Sequence, residues 1–166
     1  MITLVLGGAR SGKSAVAEQV VAGLASPVTY VATLDVGDDA DLSARVERHR
    51  ARRPRQWRTV QAGAALPEVL RAVTGSVLVD SLGPWVSAAP AMEVDAEGLC
   101  KALAERHGDT VVVSEEVGLS VHPSTGAGCR FRDVLGELNQ AVAAQADEVI
   151  LVVAGCSLRL DPPPAR

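Results

Sequence analysis

The chain has 166 residues, a hydrophobic content of 48% and a net charge of −4. This length suits one domain with a single core. The acidic balance and the 2% of aromatic residues argue against a nucleic-acid-binding protein, which is more often basic with aromatics for base stacking. The N-terminal apolar run ends after six residues, too short for a signal peptide core or a membrane span, so we expect a cytoplasmic protein without a membrane span.

Short apolar runs alternate with segments of helical spacing along the chain. The runs predict buried parallel strands at Ile2 to Leu6, Val28 to Ala32, Val77 to Val79, Val111 to Val113 and Val149 to Val153. The helical segments are Ser14 to Leu24, Ala40 to Arg52, Ala64 to Val73, Val94 to His107 and Arg130 to Ala146. This alternation predicts an α/β fold in which a doubly wound, mostly parallel sheet carries helices on both faces.

Proline and glycine mark the connections between these elements. We expect Gly83-Pro84 and Ala89-Pro90 to interrupt any regular element after the third predicted strand, and Pro123 to Gly128 to form a loop. Neither stretch is long enough to be a domain linker. We therefore predict one domain over residues 1–160 and a disordered tail over residues 161–166, where three prolines follow an aspartate.

A glycine-rich motif follows the first predicted strand and opens the first predicted helix. It has the spacing Gly-x4-Gly-Lys-Ser, in which backbone N–H groups surround phosphate oxygens, the lysine reaches the terminal phosphates and the serine hydroxyl binds Mg²⁺. The residues predicted to hold nucleotide phosphates are Gly7, Gly8, Ala9, Arg10, Ser11, Gly12, Lys13 and Ser14. The motif predicts a P-loop NTPase of the RecA-like kind, but it does not separate a kinase, an ATPase, a GTPase and a transferase.

Two apolar runs end in carboxylates that would reach the same edge of a parallel sheet as this loop. The first run ends in Asp80, which we take as the magnesium ligand that accompanies Ser14. The second run, Val111 to Val113, leads to Glu115 and Glu116, and Glu116 is a candidate to orient a water or a substrate hydroxyl. For both acids the alternative is a solvated strand-end residue or a helix cap.

Seven of the fourteen arginines fall between Arg45 and Arg58, which predicts a local anion site. Such a density of like charges is unfavourable unless the segment faces phosphates. His49 lies among these arginines, and surrounding cations favour neutral imidazole, which is the nucleophilic form. The residues alone leave two interpretations open: covalent catalysis by His49, or an ordinary histidine on a solvated basic helix.

The motifs together resemble those of the bifunctional adenosylcobinamide kinase and adenosylcobinamide-phosphate guanylyltransferase family of cobalamin biosynthesis. The similarity extends over nearly the whole chain. Its motifs are the loop from Gly7 to Ser14, Tyr30-Val-Ala-Thr33, Arg45-x3-His49-Arg50, Arg53-Pro54-x2-Trp57-x-Thr59, Glu116-Val-Gly118, Phe131-Arg-Asp133, Asn139-Gln140 and Ala146-Asp-Glu-Val149.

The resemblance implies a two-step enzyme. ATP or GTP first phosphorylates the aminopropanol hydroxyl of adenosylcobinamide, and GTP then donates GMP through a GMP-histidine to give adenosylcobinamide-GDP. It implies that His49 carries the GMP, that Lys13 and Asp80 are catalytic, and that Ser14 and Asp80 bind Mg²⁺. The further nucleotide-site residues that it implies are Ala32, Thr33, Leu34, Arg50, Ala51, Arg52, Arg53 and Gln61. It also implies a homo-oligomer, namely a trimer.

Several positions depart from the family pattern. Leu82-Gly-Pro-Trp85 stands where the family usually has Leu-Thr-Leu-Trp. Gln61 stands where the family usually has glutamate, Ala88 where it has asparagine, and Glu115 where it has asparagine. A kinase acting on cobinamide or another small alcohol, which has lost guanylyl transfer through the changes at Gln61 and Ala88, is therefore a second hypothesis. A non-enzymatic RecA-like nucleotide-binding module is the third.

Overall fold

A computed structural model describes residues 1–34 and 53–161 of the chain. Within these residues the strands are β1 Ile2–Gly7, β2 Val28–Ala32, β3 Arg58–Gln61, β4 Ser76–Asp80, β5 Thr110–Glu115, β6 Glu148–Val153 and β7 Cys156–Leu160. The helices are α1 Lys13–Ala22, α2 Leu66–Ala72, α3 Leu82–Ala88, α4 Ala96–Glu105 and α5 Gly126–Ala143, with a 3₁₀ turn at Pro90–Met92. The helix predicted at Ala40 to Arg52 and residues 162–166 of the predicted tail lie outside the described residues.

The strands form one sheet in the order β3-β2-β4-β5-β1-β6-β7, and β7 is antiparallel to β6 while the other pairs are parallel. The predicted doubly wound, mostly parallel sheet is thereby confirmed. The register places Gly7 opposite Glu115 and Ala32 opposite Asp80. Because parallel strands end at one edge, these residues collect there, where ligands bind in open α/β sheets.

Helices cover both faces of the sheet, as the alternation of elements predicts. On one face α1 packs through Val21 into a cluster that includes Val5 of β1. On the other face α5 packs through Leu135 into a cluster that includes Leu4 of β1 and Val112 of β5. Neighbouring residues of one strand thus point into opposite halves of the core, as a strand requires. No helix in the described part of the chain is both long and apolar enough to cross a membrane.

The sequence did not predict the two edge strands of the sheet. β3 has three exposed residues among its four, and four of the five residues of β7 are exposed. Neither strand therefore shows the apolar run that identifies a buried parallel strand. The five strands predicted from apolar runs are all present, because each of them lies inside the sheet.

Two predictions about interruptions were wrong. Gly83 and Pro84 do not interrupt the chain after β4 but lie inside α3, Leu82–Ala88. Proline is tolerated there because the N–H groups of the first helical turn have no intrahelical acceptor. The predicted loop at Pro123 to Gly128 ends earlier, because α5 starts at Gly126, where the Thr125 side chain accepts a hydrogen bond from the Gly128 amide.

Arg106, just beyond α4, hydrogen-bonds to several elements of the fold. Its guanidinium donates to the carbonyls of Leu70, Val73 and Gly75, each at 2.7 Å, and to the hydroxyl of Thr110 at 3.0 Å. The end of α2, the turn before β4 and the start of β5 are therefore held by one side chain. Hydrogen bonds from a charged donor contribute more to stability than those between neutral groups.

Arg106→Met should lower the free energy of unfolding by roughly 3 kcal/mol, because the methionine fills a similar space but donates to none of the four oxygens. Arg159→Met is the matched control, since Arg159 is exposed and pairs with Glu148 at the surface, where ion pairs contribute about 1 kcal/mol or less. Urea denaturation measures both changes. Equal stabilities of the two variants would contradict this role of Arg106.

Candidate active site

The loop between β1 and α1 is a tight turn fixed by backbone hydrogen bonds. Ser11 donates its N–H to the Gly8 carbonyl at 3.3 Å, and Gly155, in the turn between β6 and β7, donates to the Ser11 carbonyl at 2.8 Å. Gly12 has a φ of 94°, a conformation that glycine adopts without steric cost. The helix α1 starts at the next residue, Lys13, so its N-terminus contributes partial positive charge to the loop.

Lys13 directs its ammonium group toward the carboxyl ends of the strands. The residue is only 9% exposed, and its Nζ lies 3.5 Å from the Gly8 carbonyl and 3.4 Å from Glu115 Oε1. A cation withdrawn from water to this degree needs an opposite charge nearby. Glu115 provides that charge.

Asp80 lies on the other side of the loop and accepts two hydrogen bonds. The Ser14 hydroxyl donates to Oδ1 at 3.4 Å, and the Tyr30 hydroxyl donates to Oδ2 at 3.0 Å. Burial, and secondly the Asp80 carboxylate, raise the pKa of the Tyr30 phenol above its usual value. Tyr30 therefore keeps its proton and remains a donor to Asp80 across the physiological pH range.

Arg53 is the described residue nearest in sequence to the predicted nucleophile. Its guanidinium carbon lies 3.2 Å from the centroid of the Tyr30 ring, in a cation–π contact, and its Nε is 3.7 Å from Glu18 Oε1. Arg53 is thus connected through Tyr30 to Asp80. The other residues that the resemblance implies in this segment, His49, Arg50, Ala51 and Arg52, lie outside the described residues.

The predicted nucleotide-site residues after β2 are held by neighbouring strands. Thr33 Oγ1 donates to the Ser81 carbonyl at 2.5 Å and accepts from the Ser81 amide at 3.0 Å. Gln61, paired with Ala32 in the register, donates its Nε2 to the Leu34 carbonyl at 2.5 Å. A glutamate at this position, the usual residue of the family that the sequence resembles, could not donate that hydrogen bond when ionised.

Of the two acids at the end of β5, the structure brings Glu115 to the loop. Glu116 instead accepts from the amides of Gly118 and Leu119, both at 2.9 Å, so its carboxylate caps the following turn. The geometry therefore does not favour Glu116 as the residue that orients a substrate hydroxyl. Strand alternation was the available signal, because Glu115 shares a face with Val113, which packs beneath α1.

A pocket of about 630 Å³ lies beside α5. Several residues from the motifs that carry the resemblance line it, namely Glu116, Gly118, Arg132, Asp133, Asn139 and Gln140. Leu6, which precedes the phosphate loop, also lines it. With Val149 and Leu160 also in its lining, the pocket lies between α5 and the face of the sheet formed by β1, β6 and β7.

Solved structures share this architecture at low sequence identity. An ATPase of the type III secretion system of pathogenic bacteria matches with a TM-score of 0.57 at 11% identity, over 95% of this chain and 56% of that one. The flagellar accessory protein FlaH of Methanocaldococcus jannaschii matches with a TM-score of 0.50 at 12% identity, over 99% of this chain and 79% of that one. These similarities concern the fold alone, and they confirm the predicted RecA-like P-loop class.

Sequence comparison identifies the family. The chain is 37% identical to the bifunctional adenosylcobalamin biosynthesis protein CobP of Pseudomonas aeruginosa, over 96% of this chain and 97% of that protein. It is 36% identical to the bifunctional adenosylcobalamin biosynthesis protein CobU of Escherichia coli K12, over 96% and 99% of the two chains. A family model described as cobinamide kinase / cobinamide phosphate guanyltransferase matches residues 3–160. The chain belongs to the cobinamide kinase / cobinamide phosphate guanyltransferase family.

Proposed function

We propose that this chain catalyses two successive transfers onto one corrinoid. ATP or GTP phosphorylates the aminopropanol hydroxyl of adenosylcobinamide, and GMP from GTP is then joined to that phosphate to give adenosylcobinamide-GDP. The supporting observation is that Lys13, Ser14 and Asp80 meet at one sheet edge in a chain whose family carries out both reactions. One phosphate loop can serve both steps, because each uses a nucleoside triphosphate.

The first step depends on the phosphate loop. Backbone N–H groups from Gly8 to Ser14 and the N-terminus of α1 bind phosphate oxygens, and the Lys13 ammonium stabilises the charge on the transferred phosphoryl group. The acceptor oxygen forms a bond to the γ-phosphorus while the bond to the bridging β–γ oxygen breaks. The nucleoside diphosphate leaves with that oxygen.

Ser14 and Asp80 are the residues that we assign to Mg²⁺. Hydroxyl and carboxylate oxygens are the hard donors that this ion prefers, and the 3.4 Å distance between Ser14 Oγ and Asp80 Oδ1 supports the assignment. The described residues contain no group of three or more His, Cys, Asp and Glu side chains suited to a metal. Mg²⁺ usually binds through one or two carboxylates together with substrate phosphates and water. The bound ion would offset charge on the phosphate oxygens.

The second step needs a nucleophile, and we assign it to His49. The imidazole nitrogen attacks the α-phosphorus of GTP, and pyrophosphate leaves with the α–β bridging oxygen. An oxygen of adenosylcobinamide-phosphate then attacks the same phosphorus and displaces the histidine. Arg50 to Arg53 would offset phosphate charge during both displacements, and the position of Arg53 on Tyr30, next to Asp80, supports this assignment.

The region from Ala32 to Leu34 is our proposed contact for the nucleoside part of the substrate. Its position at the end of β2, beside Asp80 in the register, supports this assignment. Gln61 contributes by holding the Leu34 carbonyl. Ala88 is exposed at the end of α3.

We further propose that the enzyme works in the cytoplasm as a homotrimer that binds no nucleic acid. The acidic composition and the family resemblance support this. Analytical ultracentrifugation should give a particle of three times the 17.2 kDa chain mass, and DNA and RNA should not shift its sedimentation near physiological salt. A monomer, or a salt-dependent shift with nucleic acid, would contradict the proposal.

Asp80→Asn should lower both the phosphorylation rate and the GMP-labelling rate about 100-fold, because the amide offers Mg²⁺ no negative charge. The Mg²⁺ concentration needed for half-maximal activity should rise as well. Asp109→Asn is the control, since Asp109 pairs with the N-terminal amine away from the loop. An unchanged Mg²⁺ dependence in Asp80→Asn would show that this carboxylate does not bind the ion.

Incubation with α-labelled GTP and Mg²⁺ should leave the label on the protein in an acid-labile, alkali-stable bond. His49→Ala should abolish that label while phosphorylation of adenosylcobinamide continues. His107→Ala and His122→Ala are the matched controls, because they replace the two remaining histidines of the chain and should label normally. Phosphorylation without any labelled wild-type protein would instead favour a kinase that lacks guanylyl transfer.

A further inference from the structure

Glu115 is a carboxylate at the phosphate loop that the two transfers described above leave without a role. It ends β5 directly opposite Gly7 of the loop. Its Oε1 lies 3.4 Å from Lys13 Nζ, the group that reaches the terminal phosphates in P-loop proteins. The carboxylate is therefore next to the place where the γ-phosphoryl group is transferred.

The position of this carboxylate is fixed by hydrogen bonds in addition to its contact with Lys13. The Ser81 hydroxyl donates at 2.9 Å to Oε1, the oxygen that also faces Lys13, and the Gly83 amide donates to Oε2 at 2.9 Å. A Cβ on Gly83 would collide with Oε2, so glycine is what lets the carboxylate lie against the start of α3. The Asn139 side chain also donates to the Glu115 backbone carbonyl at 2.9 Å. A group held in this way keeps its geometry during a reaction.

The distances that phosphoryl transfer requires allow an acceptor hydroxyl between a nucleotide bound at the loop and Glu115. A nucleophile in near-attack geometry lies roughly 3 Å from the reacting phosphorus, and a general base lies about 2.6–3.2 Å from the oxygen that it deprotonates. An oxygen between the γ-phosphorus and the Glu115 carboxylate can satisfy both distances once Lys13 turns to the phosphate. The Glu115 side chain is 26% exposed, so this space opens to solution.

We propose that Glu115 is the general base of the phosphorylation step. Its carboxylate orients the aminopropanol hydroxyl and takes the hydroxyl proton as the oxygen bonds to the γ-phosphorus and the β–γ bridging bond breaks. The proton ends on Glu115, and the bonding electrons of the broken bond leave with the nucleoside diphosphate. The proposal rests on the proposed function, and it goes beyond it by naming the group that receives the proton.

The neighbouring acids are less suited to this role. Asp80 is the carboxylate that we assign to Mg²⁺ with Ser14. Glu116 accepts from the Gly118 and Leu119 amides in the turn beyond β5, whereas Glu115 pairs with Lys13. The asparagine that the family usually has in place of Glu115 can hydrogen-bond to a hydroxyl, but an amide is too weakly basic to take its proton. Glu115 would therefore add proton transfer to an orienting role in this chain.

Comparing phosphorylation with guanylyl transfer distinguishes a general base from a merely structural role of Glu115. Guanylyl transfer uses the same loop and the same Lys13, but its nucleophiles are an imidazole and a phosphate, neither of which needs a hydroxyl deprotonated. Loss of the base should slow phosphorylation alone. A disturbance of Lys13 should slow both reactions.

The test measures both reactions in Glu115→Gln and Glu115→Asn. Each variant should lower kcat for phosphorylation of adenosylcobinamide by about 100-fold, with the KM for the nucleotide within about threefold of wild type. GMP labelling from α-labelled GTP, and its transfer to supplied adenosylcobinamide-phosphate, should stay near the wild-type rates. Glu105→Gln is the matched control, because Glu105 is exposed at the end of α4 and pairs with Lys101, and both of its reactions should be unchanged.

Two results would overturn the role of Glu115: a phosphorylation kcat within about threefold of wild type in both variants, or an equal loss of both reactions. If wild-type enzyme failed to phosphorylate adenosylcobinamide, that would instead be a failure of the proposed function. The slow hydrolysis of GTP would then serve as the assay, because water is an acceptor that also gives up a proton. Hydrolysis lost in Glu115→Gln would support the base, and hydrolysis retained would overturn it.

Discussion

The carboxyl edge of the sheet is organised around one buried cation. An ammonium group that is largely removed from water keeps its charge only where negative groups face it. Lys13 is 9% exposed, and Glu115 lies 3.4 Å from its Nζ. The strand register produces this arrangement, because Gly7 faces Glu115 across β1 and β5 while Asp80 ends the next strand, β4. In the proposed function, nucleotide phosphates would therefore enter a site in which one cation and two carboxylates are already in place.

Tyr30 connects the two halves of the proposed chemistry. The Arg53 guanidinium lies over its ring in a cation–π contact, and its hydroxyl donates to Asp80. The arginine-rich segment that contains the proposed GMP-carrying histidine is thereby joined, through one aromatic side chain, to the carboxylate assigned to Mg²⁺. A phenol carries its proton in the physiological pH range, and burial raises the pKa of Tyr30 further, so its hydroxyl remains a hydrogen-bond donor there. A single phosphate loop can in this way be shared by phosphoryl transfer and guanylyl transfer.

The sequence predicted the parts of this structure that leave strong local patterns. Buried parallel strands appear in the sequence as apolar runs, and the spacing of residues from Gly7 to Ser14 identified the phosphate loop. The edge strands β3 and β7 are exposed and carry no such run, so they were missed. Choosing Glu115 over Glu116 required knowing which residues of β5 point to the face that carries α1. A shift of one residue in the alternation reverses that assignment. The contact of Gln61 with Leu34 joins residues far apart in the chain, and no local pattern reports it.

In the proposed function, one active site adds a phosphate and then GMP to the same corrinoid. Mass spectrometry of the products formed from adenosylcobinamide, GTP and Mg²⁺ measures both additions in one experiment. The two-step function predicts that adenosylcobinamide-phosphate appears first and is converted to adenosylcobinamide-GDP, with release of GDP and then pyrophosphate. If adenosylcobinamide-phosphate accumulated and no adenosylcobinamide-GDP formed, the second transfer would be contradicted. If adenosylcobinamide stayed unmodified, both transfers would be contradicted.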